Sequence, residues 1–146
     1  MKFLQIKYDS PQYATMLVLR NKVLREPLGL ALTREDILRE TNDFFCVCED
    51  EGEIKGCCIL TPQSDGKIRL RQMAIDFNCQ GRGIGTQLLV FAENVAVKNH
   101  FSHMELHARE TAVAFYERSG YKIVGCPFFE IGILHIKMEK ELNREE

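Results

Sequence analysis

The sequence lacks a charge excess of either sign and has no long apolar run. It contains 19 basic and 21 acidic residues, for a formal net charge of −2, and its lysines and arginines form no cluster. This balance excludes the basic surface typical of nucleic-acid-binding proteins. No apolar run approaches the roughly 18 residues of a membrane span. The first residues alternate polar and apolar side chains, as a strand does and a signal peptide does not, so we expect a cytoplasmic protein without a nucleic-acid or membrane partner.

Repeats, low-complexity segments and linkers are also absent. The 146 residues are 45% hydrophobic and 27% charged, which is typical of a globular protein and not of a disordered one. A chain of this length can bury a substantial core. We therefore predict a single domain over residues 1–146.

Six cysteines are present, but their positions indicate neither a disulfide scaffold nor a metal site. Cys46, Cys48, Cys57 and Cys58 lie inside apolar, strand-like runs, where cysteine serves as a small apolar residue. Zinc sites favour cysteine pairs with about two to four residues between them, and neither pair has that spacing. We predict reduced, structural cysteines, no cysteine nucleophile and no metal.

Apolar periodicity and turn residues predict the order of elements along the chain. Ser10 and Pro11 are expected to open the first helix, and Thr33 has the sequence context of a capping box. The predicted elements are a strand over 1–8, helices over 11–25 and 33–41, strands over 44–49, 54–60 and 67–75, a helix over 83–98, a strand over 103–107, a short helix capped by Thr111 and closed by Gly120, and strands over 121–124 and 131–138. This order predicts a mixed α/β sheet in which strands 67–75 and 103–107 run parallel.

The strand over residues 67–75 changes phase in its middle. Its apolar residues begin at even positions, Ile68 and Leu70, and end at odd positions, Met73 and Ile75. Because side chains alternate strictly in a regular strand, the change requires one extra residue. We predict a β-bulge near residues 71–72, a feature common beside active sites. A strand buried on both faces after residue 72 is the alternative.

Three glycines, Gly81, Gly83 and Gly85, stand at the start of the helix over 83–98. Glycine lets the backbone approach a ligand closely, and the free N–H groups of a first helical turn favour a phosphate group. The lysine of a nucleotide-hydrolase loop is missing, and Thr86 stands where a dinucleotide fingerprint needs glycine. The glycines could also simply tighten the turn between strand and helix.

The segment from Gln80 to Gly85 resembles the Gln/Arg-x-x-Gly-x-Gly/Ala signature of the GNAT acyltransferase superfamily, and the order of elements resembles that family over nearly the whole chain. The resemblance implies a central, mostly antiparallel sheet with one splayed parallel strand pair and about four helices. It also implies that acetyl-coenzyme A binds with its diphosphate on the amides of the glycine turn and its pantetheine arm along Met73 to Ile75. The implied cofactor-binding residues are Met73, Ala74, Ile75, Gln80, Gly81, Arg82, Gly83, Ile84, Gly85, Thr86, Arg109 and Phe115.

A second segment, from Ala108 to Tyr121, resembles the family's other signature, although Arg109 stands where the family commonly has asparagine. The resemblance makes Tyr116 the candidate general acid. A phenol with a pKa near 10 can protonate a thiolate leaving group, whose ordinary pKa is about 8.5. A packing role beside Phe115 is the alternative for Tyr116. The amide of Met73 is the candidate for stabilising the developing oxyanion.

The base that accepts the proton of the amine is less sharply indicated. The candidates are Glu130, His107 and His135, and a base can also act through water. Arg20 and Arg25 fall where the resemblance implies a wall of the acceptor site, with a solvated charged face as the alternative.

Together these patterns predict an N-acetyltransferase that moves the acetyl group of acetyl-coenzyme A directly to a small-molecule or peptide amine. A non-catalytic coenzyme A sensor of the same fold and a nucleotide-binding domain are the alternatives. Another acyl donor and a homodimer also stay open.

Overall fold

The computed structural model describes residues 1–142, which form one eight-stranded sheet and four α-helices. The strands are β1 Lys2–Ile6, β2 Phe44–Asp50, β3 Glu53–Pro62, β4 Lys67–Ile75, β5 His103–Arg109, β6 Lys122–Ile123, β7 Phe128–Glu130 and β8 Ile133–Glu141. The α-helices are α1 Pro11–Arg20, α2 Arg34–Leu38, α3 Ile84–Lys98 and α4 Val113–Arg118.

The sheet is mostly antiparallel and contains one parallel pair. Its order is β1-β2-β3-β4-β5-β8-β6, and β7 pairs with β8 outside this path. The parallel neighbours are β4 and β5, which α3 connects. The predicted fold class, a mixed sheet with one parallel strand pair and about four helices, is confirmed.

The first helix is shorter than predicted. Ser10 caps it, since its hydroxyl accepts a hydrogen bond from the Tyr13 N–H. Beyond Arg20 the chain widens into a π-helical segment, Asn21–Arg25, followed by a 3₁₀ turn, Glu26–Leu28. The prediction of one continuous helix over 11–25 was therefore wrong in detail, because periodicity does not distinguish an α-helix from a helix that widens before a proline.

Of the two other predicted caps, Thr33 is confirmed and Thr111 is wrong. Thr33 and Asp36 form a reciprocal capping box at the start of α2, which ends at Leu38 and not near Thr41. Thr111 does not cap α4. The chain leaves β5 through a 3₁₀ turn, Glu110–Ala112, so α4 begins at Val113 without a side-chain cap.

The C-terminal strands also differ from the prediction. The predicted strand over 131–138 begins at Ile133, because Ile131 and Gly132 form the turn of a β7–β8 hairpin with φ angles of 47° and 72°. Positive φ at both positions is typical of a two-residue hairpin loop. The β-branched Ile131 concealed this turn, and β7 was missed with it. The predicted strand over 121–124 is only the two-residue β6.

Apolar side chains fill both faces of the sheet. One cluster lies beneath α3 and contains Ile68 and Leu70, and a second lies beneath α1 and contains Phe45 and Ala74. A small third cluster consists of Cys48, Cys79 and Ile84. Five of the six cysteines are buried in these clusters or beside them, in agreement with a structural role, and Cys126 is exposed.

One ion pair is buried beneath α1. The guanidinium of Arg20 donates to both oxygens of Glu40, at 2.8 and 2.6 Å, and Tyr13 donates to the same carboxylate at 2.7 Å. Both charged residues are at most 1% exposed. The alternative that Arg20 lies on a solvated face is therefore wrong. Arg20 Nε also lies 3.3 Å from Gln72 Oε1, which joins the ion pair to β4.

Candidate active site

The bulge predicted in β4 is present. Arg71 lies opposite Ile59 and Ala74 lies opposite Cys57, so two residues of β4 face one residue of β3. The extra residue is Gln72, whose φ of 56° is unusual for a residue other than glycine. As a result, Met73 and Ile75 pack on the same α3 side as Ile68 and Leu70. The prediction of a bulge near residues 71–72 is confirmed.

Beyond the bulge β4 and β5 separate. Their parallel pairing ends at Leu70 and Leu106, so the later residues of the two strands have no mutual partners. A cavity of about 380 Å³ opens at this point. It is lined by Leu24, Arg25, Arg69, Leu70, Arg71, Gln72, Met73, Leu106, His107, Ala108, Arg109, Ala112, Tyr116, Glu130, Ile131 and His135.

The glycine turn presents free backbone amides before α3. Gly81 and Gly83 have φ angles of 77° and 75°, and Gly83 occupies the N-cap position. Within residues 1–142, no backbone N–H from Gly81 to Thr86 donates a hydrogen bond. A side-chain methyl group at either glycine would meet open space, so the turn is accessible from outside. Free amides at a helix N-terminus fit a diphosphate.

Two contacts fix this turn to the rest of the site. The Gln80 side chain donates to the carbonyl oxygen of Ile75 at 3.0 Å, which joins the turn to the end of β4. The Phe115 ring packs against α3 at Gly85, where an added side-chain methyl group would lie only 3.5 Å from the ring. Among the predicted cofactor residues, Arg82 and Thr86 are exposed in the turn and Ile84 is buried beneath it.

Tyr116 borders the cavity from α4. Its residue is 7% exposed, and its ring lies 5.0 Å from Phe115 and 5.7 Å from Tyr121. Burial, and to a lesser extent the neighbouring Cys58, raises the pKa of the Tyr116 hydroxyl. That hydroxyl has no hydrogen-bond partner in the described part of the chain. The Tyr116 hydroxyl is therefore protonated and free to donate a hydrogen bond to a ligand in the cavity.

A histidine and a carboxylate meet on the opposite wall. His107 Nδ1 lies 2.9 Å from Glu130 Oε2, although 23 residues separate them in the sequence. The hairpin of β7 and β8 makes this contact, since it carries Glu130 back over β5. His135 is engaged differently, with Nδ1 2.8 Å from the carbonyl oxygen of Ile133. The pair of His107 and Glu130 is arranged as a proton acceptor that a second group orients.

The cavity brings together only part of the predicted site. It collects Met73, His107, Arg109, Tyr116 and Glu130, together with His135. The glycine turn is not among its lining residues and lies where β4 meets α3. The side chain of Ala74 points away into the core beneath α1, so only its backbone can contribute. Leu24, Ala112 and Ile131 also line the cavity, and no role was predicted for them; only the signature around Ala112 could have indicated one.

The described residues contain neither a metal-ligating cluster nor a membrane-spanning helix. No three or more His, Cys, Asp or Glu side chains of residues 1–142 are grouped closely enough to hold a metal ion. No helix in that range has the length and apolar character needed to span a bilayer.

Known proteins of similar sequence agree with these structural features. A family model for the acetyltransferase (GNAT) domain matches residues 18–142. The "Probable N-acetyltransferase 14" of Xenopus tropicalis is 27% identical over 110 residues, which cover 67% of this chain and 53% of that protein. The chain spans 40–64% of the length of the curated relatives that it matches.

Solved structures give the same result over the whole fold. A candidate N-acetyltransferase from Lactobacillus plantarum superposes with a TM-score of 0.86 at 29% identity, covering 98% of this chain and 100% of that one. A GNAT family acetyltransferase from Elizabethkingia anophelis with acetyl-CoA bound has a TM-score of 0.75 at 19% identity and 97% coverage of both chains. With a family model that spans most of its length and a sheet splayed in the family's manner, the chain belongs to the GNAT acetyltransferase family.

Proposed function

We propose that this chain is an N-acetyltransferase that transfers the acetyl group of acetyl-CoA to a primary amine. The observation that carries the proposal is the separation of β4 from β5 beyond Leu70. It leaves a strand-shaped gap with free amides near one end and a buried phenol beside it. The binding of acetyl-CoA by the neighbour from Elizabethkingia anophelis supports the same donor here.

The donor is expected to occupy the glycine turn and the gap. Its diphosphate would accept hydrogen bonds from the amides of residues 81–86, in the partial positive field at the start of α3. Gln80, which is fixed to β4, would hold the turn in position. The pantetheine arm would lie along Met73 to Ile75, where β4 has lost its neighbour, and would replace the missing strand.

The chemical step is attack of a neutral amine nitrogen on the thioester carbonyl carbon. The C–N bond forms first and places negative charge on the carbonyl oxygen, and the C–S bond then breaks as the carbonyl double bond re-forms and the thiolate leaves. The backbone N–H of Met73, next to the bulge, would stabilise that charge. Tyr116 would then donate its proton, or a hydrogen bond, to the departing thiolate. Its raised pKa keeps the phenol protonated throughout the physiological pH range, and because it also makes the phenol a weaker acid, it favours donation of a hydrogen bond over full transfer of the proton.

The amine must lose a proton during the reaction. The carboxylate of Glu130 and the imidazole of His107 stand 2.9 Å apart on the cavity wall, and we assign proton acceptance to this pair. His135 is a weaker candidate because its Nδ1 already contacts a backbone carbonyl.

Direct transfer in a ternary complex is favoured over a covalent acyl-enzyme. No cysteine occurs among the described residues that line the cavity. Burial raises the pKa of Cys48 to about 11 and that of Cys57 to about 12, so both stay as thiols, which are poor nucleophiles. Homodimerisation and a cytoplasmic location stay predictions from the sequence.

The test is the release of free thiol from acetyl-CoA as a function of added amine, together with calorimetry on acetyl-CoA, ATP and NAD. Amine-dependent release and selective binding of acetyl-CoA are expected. Binding of acetyl-CoA without release for any amine would favour the coenzyme A sensor. Selective binding of ATP or NAD would favour a nucleotide-binding domain.

Glu130→Gln tests the assignment of the base. At neutral pH we expect kcat/KM to fall by about 10- to 100-fold, because the amine is protonated and its acceptor has been removed. The loss should shrink as the pH approaches the pKa of the acceptor amine, where free amine no longer needs a base. Glu117→Gln, an exposed change on α4 outside the cavity, serves as the matched control. An equal loss at every pH would contradict the role of Glu130 as proton acceptor.

A further inference from the structure

The cavity carries far more positive than negative charge. Four arginines line it, which are Arg25 from the π-helical segment, Arg69 and Arg71 from β4, and Arg109 from the end of β5. Glu130 is the one carboxylate among the described lining residues, and it already contacts His107. This excess is opposite to what a site for a polyamine would need.

Strand geometry directs most of these guanidinium groups to one side of the sheet. Arg69 and Arg71 alternate with Leu70, whose side chain is buried beneath α3. Arg109 follows Ala108, which is buried in that same cluster. The arginines therefore project from the opposite face, where the π-helical segment after α1 supplies Arg25.

Each of the two arginines on β4 has a carboxylate nearby. Arg69 Nη2 lies 3.0 Å from Glu105, but Lys137 also lies 3.0 Å from that carboxylate and shares its charge. Arg71 Nη1 lies 3.5 Å from Asp43, which is long for a charged hydrogen bond. These carboxylates reduce the positive charge of the cavity without cancelling it.

Arg25 and Arg109 contact no carboxylate directly. The charge of Arg25 acts on Asp36 at longer range, where, after the backbone hydrogen bond with Thr33, it helps to lower the pKa of that carboxyl. Neither forms a hydrogen bond or salt bridge to any residue from 1 to 142. Arg25 Nε is buried and has no hydrogen-bond partner. A buried donor without an acceptor is costly, so the site is suited to a ligand that brings oxygen atoms. Arg25 is also the last residue of a π-helical segment, a feature frequent at functional sites.

The diphosphate of the donor does not account for this charge. None of the residues from Gln80 to Thr86 lines the cavity, and free amides are available to the diphosphate there. Arg25 and Arg71, neither of which is an implied cofactor-binding residue, are thus left for the second substrate, and the planar fork of a guanidinium matches a carboxylate.

We propose that the acceptor is a small primary amine that also carries a carboxylate, which Arg25 binds with the support of Arg71. This inference rests on the proposed acetyltransferase function and names its substrate class. The amine end would then lie toward Glu130 and His107, and the carboxylate toward the π-helical segment. A second positive charge on the acceptor would be repelled.

Matched acceptors of equal length test the inference. 4-Aminobutyrate, n-butylamine and 1,4-diaminobutane differ only in their second end group, and each α-amino acid can be compared with its amide and its decarboxylated amine. We expect the carboxylate members to have roughly 10- to 100-fold higher kcat/KM, the effect of one or two charge-assisted hydrogen bonds. O-Phosphoethanolamine distinguishes a phosphate from a carboxylate. A preference for diamines, uncharged amines or the phosphate compound would overturn the proposal.

Arg25→Gln should raise KM for the preferred carboxylate acceptor by about tenfold or more and should change KM for its decarboxylated partner far less, since that partner has no carboxylate to lose a contact. Arg39→Gln is the matched control, because the Arg39 side chain is 77% exposed and lies outside the cavity. An equal loss on both acceptors would contradict the role of Arg25. If no member of the panel releases thiol but another amine does, this inference alone fails; if no amine releases thiol, the proposed function fails as well.

Discussion

Replacement of Tyr116 by phenylalanine is expected to lower kcat by about 10²- to 10⁴-fold and to leave the affinity for acetyl-CoA nearly unchanged. The phenylalanine ring fills the same space between Phe115 and Tyr121, so only the hydroxyl is lost. Because that hydroxyl has no hydrogen-bond partner in the described chain, its removal should not weaken the fold. The loss in rate would therefore report the missing proton donor.

Tyr121→Phe is the control for this change. Tyr121 is also buried, but its hydroxyl donates to Glu93 at 2.8 Å and does not line the cavity. We expect this variant to lose about 1–2 kcal/mol of stability and to keep its kcat. Steady-state kinetics and calorimetry with acetyl-CoA check both variants. A kcat for Tyr116→Phe within a few-fold of the parent would remove the proposed acid.

Glu40→Gln is expected to cost about 3–5 kcal/mol of the free energy of unfolding, the effect of leaving a buried charge without its partner. Burial alone would lower the pKa of the Arg20 guanidinium, but the hydrogen bond and charge of Glu40 outweigh it and raise that pKa. Glutamine keeps an oxygen for Tyr13 but cannot neutralise Arg20. The change therefore removes the charge of Glu40 together with the acceptor of one Arg20 hydrogen bond.

Urea denaturation measures this effect. The double variant Arg20→Met with Glu40→Leu should recover most of the lost stability, because no unpaired charge then stays buried. Glu35→Gln breaks only the exposed pair with Arg39, at 4.0 Å, and should leave stability unchanged. A loss below about 1 kcal/mol in Glu40→Gln would show that the carboxylate is not needed to neutralise Arg20.

Local sequence rules predicted the parts of the site that neighbouring residues determine. The change of phase between Leu70 and Met73 predicted the bulge, because alternation in a strand leaves no other regular solution. The glycines before α3 predicted the turn of free amides, since their positions relative to a strand and a helix are visible in the sequence.

Contacts between distant segments could not be predicted in this way. Glu40 is the buried partner of Arg20, yet it lies 20 residues away and has no local pattern that distinguishes it from exposed acids. Glu130 and His107 were each candidates, but their contact depends on the β7–β8 hairpin. That hairpin was missed because Ile131, a β-branched residue, occupies a position with positive φ.

We propose that the free amides of residues 81–86 bind the diphosphate of acetyl-CoA, and the rest of the mechanism depends on that contact. Calorimetry with acetyl-CoA and with S-acetylpantetheine, which lacks the diphosphate, tests it on the parent protein and on Gly83→Val. Gly52→Val is the matched control, because Gly52 has a similar φ of 78°, equal open space and a position in the distant β2–β3 turn. We predict that Gly83→Val alone weakens acetyl-CoA binding, by about 10- to 100-fold, and leaves acetylpantetheine binding unchanged. Unaltered affinity of Gly83→Val for acetyl-CoA would contradict the account.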